Sequence, residues 1–251
     1  MEHREDLNRP PVEPADSISA GAVRPGWKWG HLIGFFLFII LFNWIFSYEE
    51  PALYSRLVYE YGMPISPVAE FTLVSLVQFL VMMAGLLLLA WIGGVGLNEM
   101  GFRRLSFKKW AIWGGLGGLT AFAAMIGISM IVQYFQPHLE PQPFQTVLSE
   151  SAGLGEKVLL LLLGAVIMPL WEETYFRGMV YPVLRRYVGV AGGLVLAGLF
   201  FGAVHADWVR LVPLSLGGVI LAYLYEKTDS LYPAWLAHGL WNGFMAFTVL
   251  L

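Results

Sequence analysis

The sequence predicts an all-α fold, a polytopic membrane helix bundle of about seven transmembrane helices, and three observations carry that expectation. Of 251 residues, 57% are hydrophobic and only 13% charged, about half the charged fraction of an ordinary soluble domain. Seventeen Phe, eleven Tyr and ten Trp supply the aromatic load that belts at a membrane interface draw on. Beyond Lys28 the chain falls into stretches free of Lys, Arg, Asp and Glu: 29–48, 71–98, 110–139, 158–171, 187–206, 211–225 and 230–251.

Taken in order, residues 1–28 are polar, Pro-containing and of mixed charge, which predicts a disordered tail. No apolar run followed by a small-residue cleavage site marks it as a cleaved signal peptide. Residues 29–150 hold three helices, in the third of which Gly114 and Gly118 are spaced for close helix packing. Crossing the hydrocarbon core takes about 20 residues, so 158–171 is too short alone. It reaches that length if its helix continues through Trp171-Glu172-Glu173-Thr174-Tyr175-Phe176-Arg177 to Arg185 and Arg186. Residues 151–251 then form a C-terminal core, and they are where polar side chains enter apolar sequence.

Alternating sides along seven spans puts twelve of the Lys and Arg residues on the N-terminal side and three (Arg56, Lys157, Arg210) opposite. The positive-inside rule then predicts a cytoplasmic N-terminus and an external C-terminus in a cell membrane. A net charge of −3 with no basic, aromatic-interleaved patch argues against nucleic acid as a partner. Absence of cysteine removes thiol nucleophiles, thiolate metal sites and disulfides together.

Three pairs of polar or aromatic residues stand out, each one helical turn apart. In Glu172-Glu173-x-x-x-Arg177, the adjacent acids point about 100° apart, so they cannot share one role. Glu173 and Arg177 are i,i+4 with the acid first, the favourable order for an ion pair. Glu172 is left on another face without a local cation, where desolvation favours its protonated form and suits it to carry a proton. Phe201-x-x-x-His205 and His238-x-x-x-Asn242 follow. His205 and His238 are the histidines that fall within the bundle, and each is costly there unless it meets a partner or a wet cavity. Singly, either His reads as a helix-bridging donor, Asn242 as interhelical glue, and Phe201 as a core aromatic that shapes the cavity.

These motifs, in this order, resemble those of the CPBP family of intramembrane proteases, also called Abi, which includes the CAAX prenyl endopeptidases and bacterial bacteriocin-processing or immunity proteins. The likeness covers about residues 150–251, and the run Glu-Glu-Thr-Tyr-Phe-Arg-Gly at 172–178 is close to the family's first motif. It implies an endopeptidase acting on a membrane-embedded, prenylated or secreted peptide, in which Glu172 with His205 activates water. His238 and Asn242 would then stabilise the oxyanion, with Glu173, Arg177 and Phe201 in support. A catalytic zinc site could draw on Glu172, His205 and His238, yet H-E-x-x-H is absent, and the expectation leans towards no obligatory tightly bound metal. Chain length and a short tail suggest a bacterial peptide or membrane-protein substrate.

Other intramembrane proteases lack their residues here: there is no Gly-x-Ser-x-Gly, no intramembrane Asp pair and no H-E-x-x-H. The alternative from another class is a non-catalytic protein, either a proton-coupled transporter or a scaffold and immunity factor. One feature conflicts with a simple topology. On straight helices His205 would lie about 21 Å, and His238 about 10 Å, from the cytoplasmic side.

Overall fold

The computed structural model describes residues 26–62 and 65–250. The polar tail expected over residues 1–28 lies, up to residue 25, outside the described residues. Among the described residues every regular element is helical. The N-terminal part contributes α1 (Trp29–Ser55), α2 (Pro67–Ile92), α3 (Phe107–Phe135) and the short α4 (Pro143–Glu150). The C-terminal part contributes α5 (Leu154–Leu162), α6 (Met168–Tyr175), α7 (Tyr181–Val204), α8 (Leu211–Thr228) and α9 (Leu231–Leu250).

Local chemistry sets the helix ends. Ser66 and Ser106 cap α2 and α3 by accepting the amides of Ala69 (3.2 Å) and Lys109 (3.4 Å). Pro67 stands at the start of α2, where its missing N–H costs nothing. From α5 to α7 the chain runs on as one rod of 51 residues, Leu154–Val204. Two π-helical turns, Leu163–Ile167 and Phe176–Val180, join its parts. Gly189, at φ 74° and ψ −177°, breaks the rod; a side chain would strain that backbone. The segment 154–188 is thus the lengthened span that the short stretch 158–171 predicts.

Trp29–Ser47, Pro67–Ile92, Phe107–Phe135 and the Leu154–Val204 rod are long and apolar enough to cross a bilayer. Their outer surfaces are apolar, with Leu37 and Trp44 on α1, Leu80 on α2 and Leu116 on α3 exposed. Water would penalise such a surface and lipid does not. The molecule is a polytopic helical membrane bundle.

Small residues draw the core helices together. Gly114 and Gly118 of α3 face Leu236 and Leu240 of α9, so the predicted G-x-x-x-G lies at a helix–helix contact. Between α7 and α8, a side chain at Gly218 would come within 2.9 Å of the Gly198 Cα. This approach brings Phe201 of α7 into the centre of the bundle, while His205 beyond it stays exposed. Outside it, Ser230 donates to the Arg103 carbonyl (2.7 Å) and Arg103 pairs with Asp229, fastening the α2–α3 connection to the α8–α9 turn.

Candidate active site

The two acids of the first motif sit on α6, between the π-turns, and its Arg177 lies on the second π-turn. A π-turn inserts a residue and takes carbonyls out of the regular ladder, and in lipid each freed carbonyl needs another donor. The donors come from elsewhere in the fold. Asn242 Nδ2 donates to the Gly164 carbonyl and Trp235 Nε1 to that of Val166, both at 2.9 Å. Trp27 Nε1 donates to the Gly178 carbonyl at 2.7 Å. The irregular backbone is therefore bought with three side-chain hydrogen bonds, and it holds α6 in a fixed rotation.

That rotation sends the two glutamates to different surroundings. The Glu173 side chain is 0% exposed, and its Oε1 accepts from Arg177 Nη1 at 2.9 Å and from His238 Nδ1 at 2.7 Å. Arg177 is equally buried; its Nη2 donates to the Gly218 carbonyl at 2.9 Å, and the guanidinium lies 4.9 Å from the Phe201 ring centre. A buried acid and base paired in this way avoid the cost of isolated charge, while Glu173 Oε2 and Arg177 Nε are buried without a hydrogen-bond partner. Glu172, by contrast, is 20% exposed, with Oε2 3.7 Å from His238 Nε2. A carboxylate accepts, so His238 uses Nδ1–H on Glu173 and turns Nε2 towards Glu172.

His205 closes α7. Its Nδ1 donates to the Phe201 carbonyl at 2.7 Å, which leaves Nε2 open. The next residue, Ala206, is left-handed at φ 51° and ends the helix. Asp207 then holds the turn, accepting the amides of Val209 (3.2 Å) and Arg210 (3.0 Å) and pairing with the Arg210 guanidinium. Burial alone would raise the Asp207 carboxyl; these donors outweigh it and hold it below the usual carboxylate range. Phe201 is central: its ring lies 4.9 Å from His205 and 5.7 Å from His238. Both imidazoles flank one ring, so the depth mismatch expected from straight helices does not arise. His205 caps its helix, and its side chain folds back over the preceding turn.

A cavity of about 650 Å³ opens between α1, α2, α6 and the end of α7. Glu172 and His205 both line it, with Trp171, Tyr175, Asn43 and Gln78. His238 and Asn242 are not on its wall, and Phe36, Phe176 and Phe200, but not Phe201, join Trp171 and Tyr175 in its aromatic lining. Asn242 spends one of its two amide N–H groups on Gly164. Asn43 and Gln78 escape a search confined to titratable residues. The available signal is an amide inside each of the uncharged stretches 29–48 and 71–98.

The zinc ligands suggested by the sequence are Glu172, His205 and His238. Both His205 and His238 fix Nδ1 on an oxygen and leave Nε2 open, as ligand imidazoles do. Yet among the described residues no three His, Asp or Glu side chains converge into a group that could hold a metal ion. The donor types suit zinc, and their positions do not form its cage.

The fold and site define a helical membrane protein with an acid and an imidazole facing one internal cavity. Residues 154–244 match the family described as Type II CAAX prenyl endopeptidase Rce1-like. The chain is 26% identical over 136 residues to the Bacillus subtilis protein named "Putative membrane peptidase YdiL", covering 54% of each. It is 29% identical over 103 residues to an uncharacterized 24.3 kDa protein of Escherichia coli, covering 40% of this chain and 48% of that one. The chain thus spans about half the length of the curated relatives it matches. No solved structure matches it. Over residues 154–244 the chain is similar to the Type II CAAX prenyl endopeptidase Rce1-like family, in keeping with the resemblance that its three motifs carry.

Proposed function

We propose that the protein is an intramembrane endopeptidase in which Glu172 is the general base. The observation that carries this is the shared exposure of Glu172 and His205 on one largely apolar cavity. A water held between them would lose a proton to Glu172 as it attacks the scissile carbonyl, with the open Nε2 of His205 as second partner. The proton would then pass to the leaving amine. With its proton at Nδ1 for Glu173, His238 would serve the developing oxyanion as an imidazolium, whose Nε2–H would lie 3.7 Å from Glu172. Asn242 would add its remaining N–H, while Glu173 and Arg177 hold His238 in orientation. No step is routed through a metal.

The family match supports a peptide that enters from the membrane as the substrate class, with a prenylated C-terminal peptide as the first chemistry to offer. The N-terminus is placed in the cytoplasm on the charge asymmetry of the sequence. The decisive test is cleavage of quenched-fluorescent peptides, prenylated and unmodified, by the reconstituted protein and its Glu172→Gln variant. Wild type should release fragments, and the variant should lose about 10²–10⁴-fold in rate while keeping its fold. Equal rates would remove Glu172 from the mechanism. Proton-coupled solute uptake without peptide release would favour a transporter instead.

A further inference from the structure

The cavity wall contributed by the N-terminal helices carries hydrogen-bonding groups that the proposed chemistry does not use. Asn43 of α1 and Gln78 of α2 meet there, Gln78 Nε2 donating to Asn43 Oδ1 at 3.3 Å. Asn43 Nδ2 also donates to the Ile39 carbonyl of its own helix at 2.8 Å. Each amide offers two N–H groups and a carbonyl with two lone pairs. After these two bonds the pair still holds an N–H on each residue and the Gln78 carbonyl. In apolar surroundings such groups cost free energy unless something pairs with them.

Two further donors on α6 are closed off from the cavity as the side chains stand. Trp171 Nε1 and the Tyr175 hydroxyl, on residues that line this cavity, are buried and have no hydrogen-bond partner. They stand one turn apart on α6, rings stacked at 6.0 Å, on either side of Glu172 in sequence. Buried donors left unpaired in a native fold call for an explanation. The surrounding wall is aliphatic and aromatic, including Phe36, Ile40 and Met168.

An extended polypeptide is the ligand that needs both features. Inside a membrane its own N–H and C=O groups are unpaired and demand partners, while apolar side chains suit an aromatic wall. We propose that Asn43 and Gln78 form a backbone-binding subsite: they hydrogen-bond peptide groups of a substrate segment held extended in the cavity and so position its scissile bond at Glu172. This rests on the proteolytic reading of the same cavity and adds to it a role for the N-terminal helices.

The test is a cycle between protein and peptide. The prenylated quenched-fluorescent peptide is prepared with each backbone N–H near the cleavage site methylated in turn. Each is cleaved by wild type, Asn43→Leu and Gln78→Leu. Binding of the same set to the Glu172→Gln protein, with and without Gln78→Leu, is followed by fluorescence anisotropy. Either Leu variant should raise KM about five- to tenfold with kcat nearly unchanged. Methylation at one position should weaken wild-type binding by a similar factor and cost nothing further once Gln78 is Leu. Leucine suits a lipid-facing helix, so melting in detergent should hold, and a collapse in Tm would be answered by the milder swap Gln78→Asn.

Methylation penalties that persist in full in the Gln78→Leu protein overturn the subsite while leaving the protease intact. Coupled binding without cleavage keeps the subsite and removes the protease reading. Peptides neither bound nor cleaved overturn both.

Discussion

Glu172 and Glu173 are neighbours in the chain and belong to two unlike regions. One side of α6 is closed: Glu173, Arg177, His238 and the Gly218 carbonyl form a buried network capped by the Phe201 ring, in which Glu173 Oε2 and Arg177 Nε keep no hydrogen-bond partner. The other side is unfinished, with Glu172 at 20% exposure beside a cavity whose polar groups outnumber their partners. A hundred degrees of helix rotation separates them. The lesson is a division of labour within one turn: the closed side fixes geometry, and the open side is left free to react.

Four experiments can break or sharpen that contrast. The largest effect belongs to Arg177→Leu, which strands the Glu173 carboxylate in a closed environment. We expect a stability loss of about 3–5 kcal/mol, seen as a large drop in detergent melting temperature, whereas Glu172→Gln should melt within a degree or two of wild type. Comparable losses at the two positions would erase the distinction. Next is Phe201→Ala, which removes the ring shared by Arg177, His205 and His238. A core aromatic truncation costs about 3 kcal/mol or more, and cleavage should fall along with the melting temperature.

Asn242→Leu should be milder in stability, about 1–3 kcal/mol, because it leaves the Gly164 carbonyl of the π-turn without its donor. If Asn242 also serves the oxyanion, the loss of kcat will exceed what a Trp235→Phe change produces, since Trp235 serves only the neighbouring Val166 carbonyl. The smallest effect concerns the turn after His205. Asp207 is held below the usual carboxylate range, so its contribution is present above about pH 4, the unfolded value, and fades as pH falls through the lower folded one. Asp207→Asn should therefore flatten the acid limb of the melting curve by no more than about 1 kcal/mol. Incubation with a chelator belongs beside these measurements. Cleavage that disappears on chelation and returns with zinc would show that Glu172, His205 and His238 gather around a metal in the working protein.

Much of this was legible in the chain. Uncharged stretches separated by charged loops foretell a membrane bundle because lipid tolerates only satisfied backbone and apolar surface. The i,i+4 spacing of Glu173 and Arg177 foretells their pairing, since one turn of helix makes that contact local. The lengthened helix through Glu172 follows from span length alone.

Contacts between helices were not legible. That His238 reaches both glutamates, that Asn242 serves a π-turn carbonyl, and that His205 folds back to Phe201 all depend on how helices are rotated and crossed. Asn43 and Gln78 show the limit most sharply: two unremarkable amides, 35 positions apart, gain meaning only where α1 and α2 bring them to the cavity of Glu172. Periodicity along one helix is written in sequence at fixed spacing. The meeting of separate helices is decided by side-chain packing and by which glycines let backbones approach, and only the folded bundle resolves it.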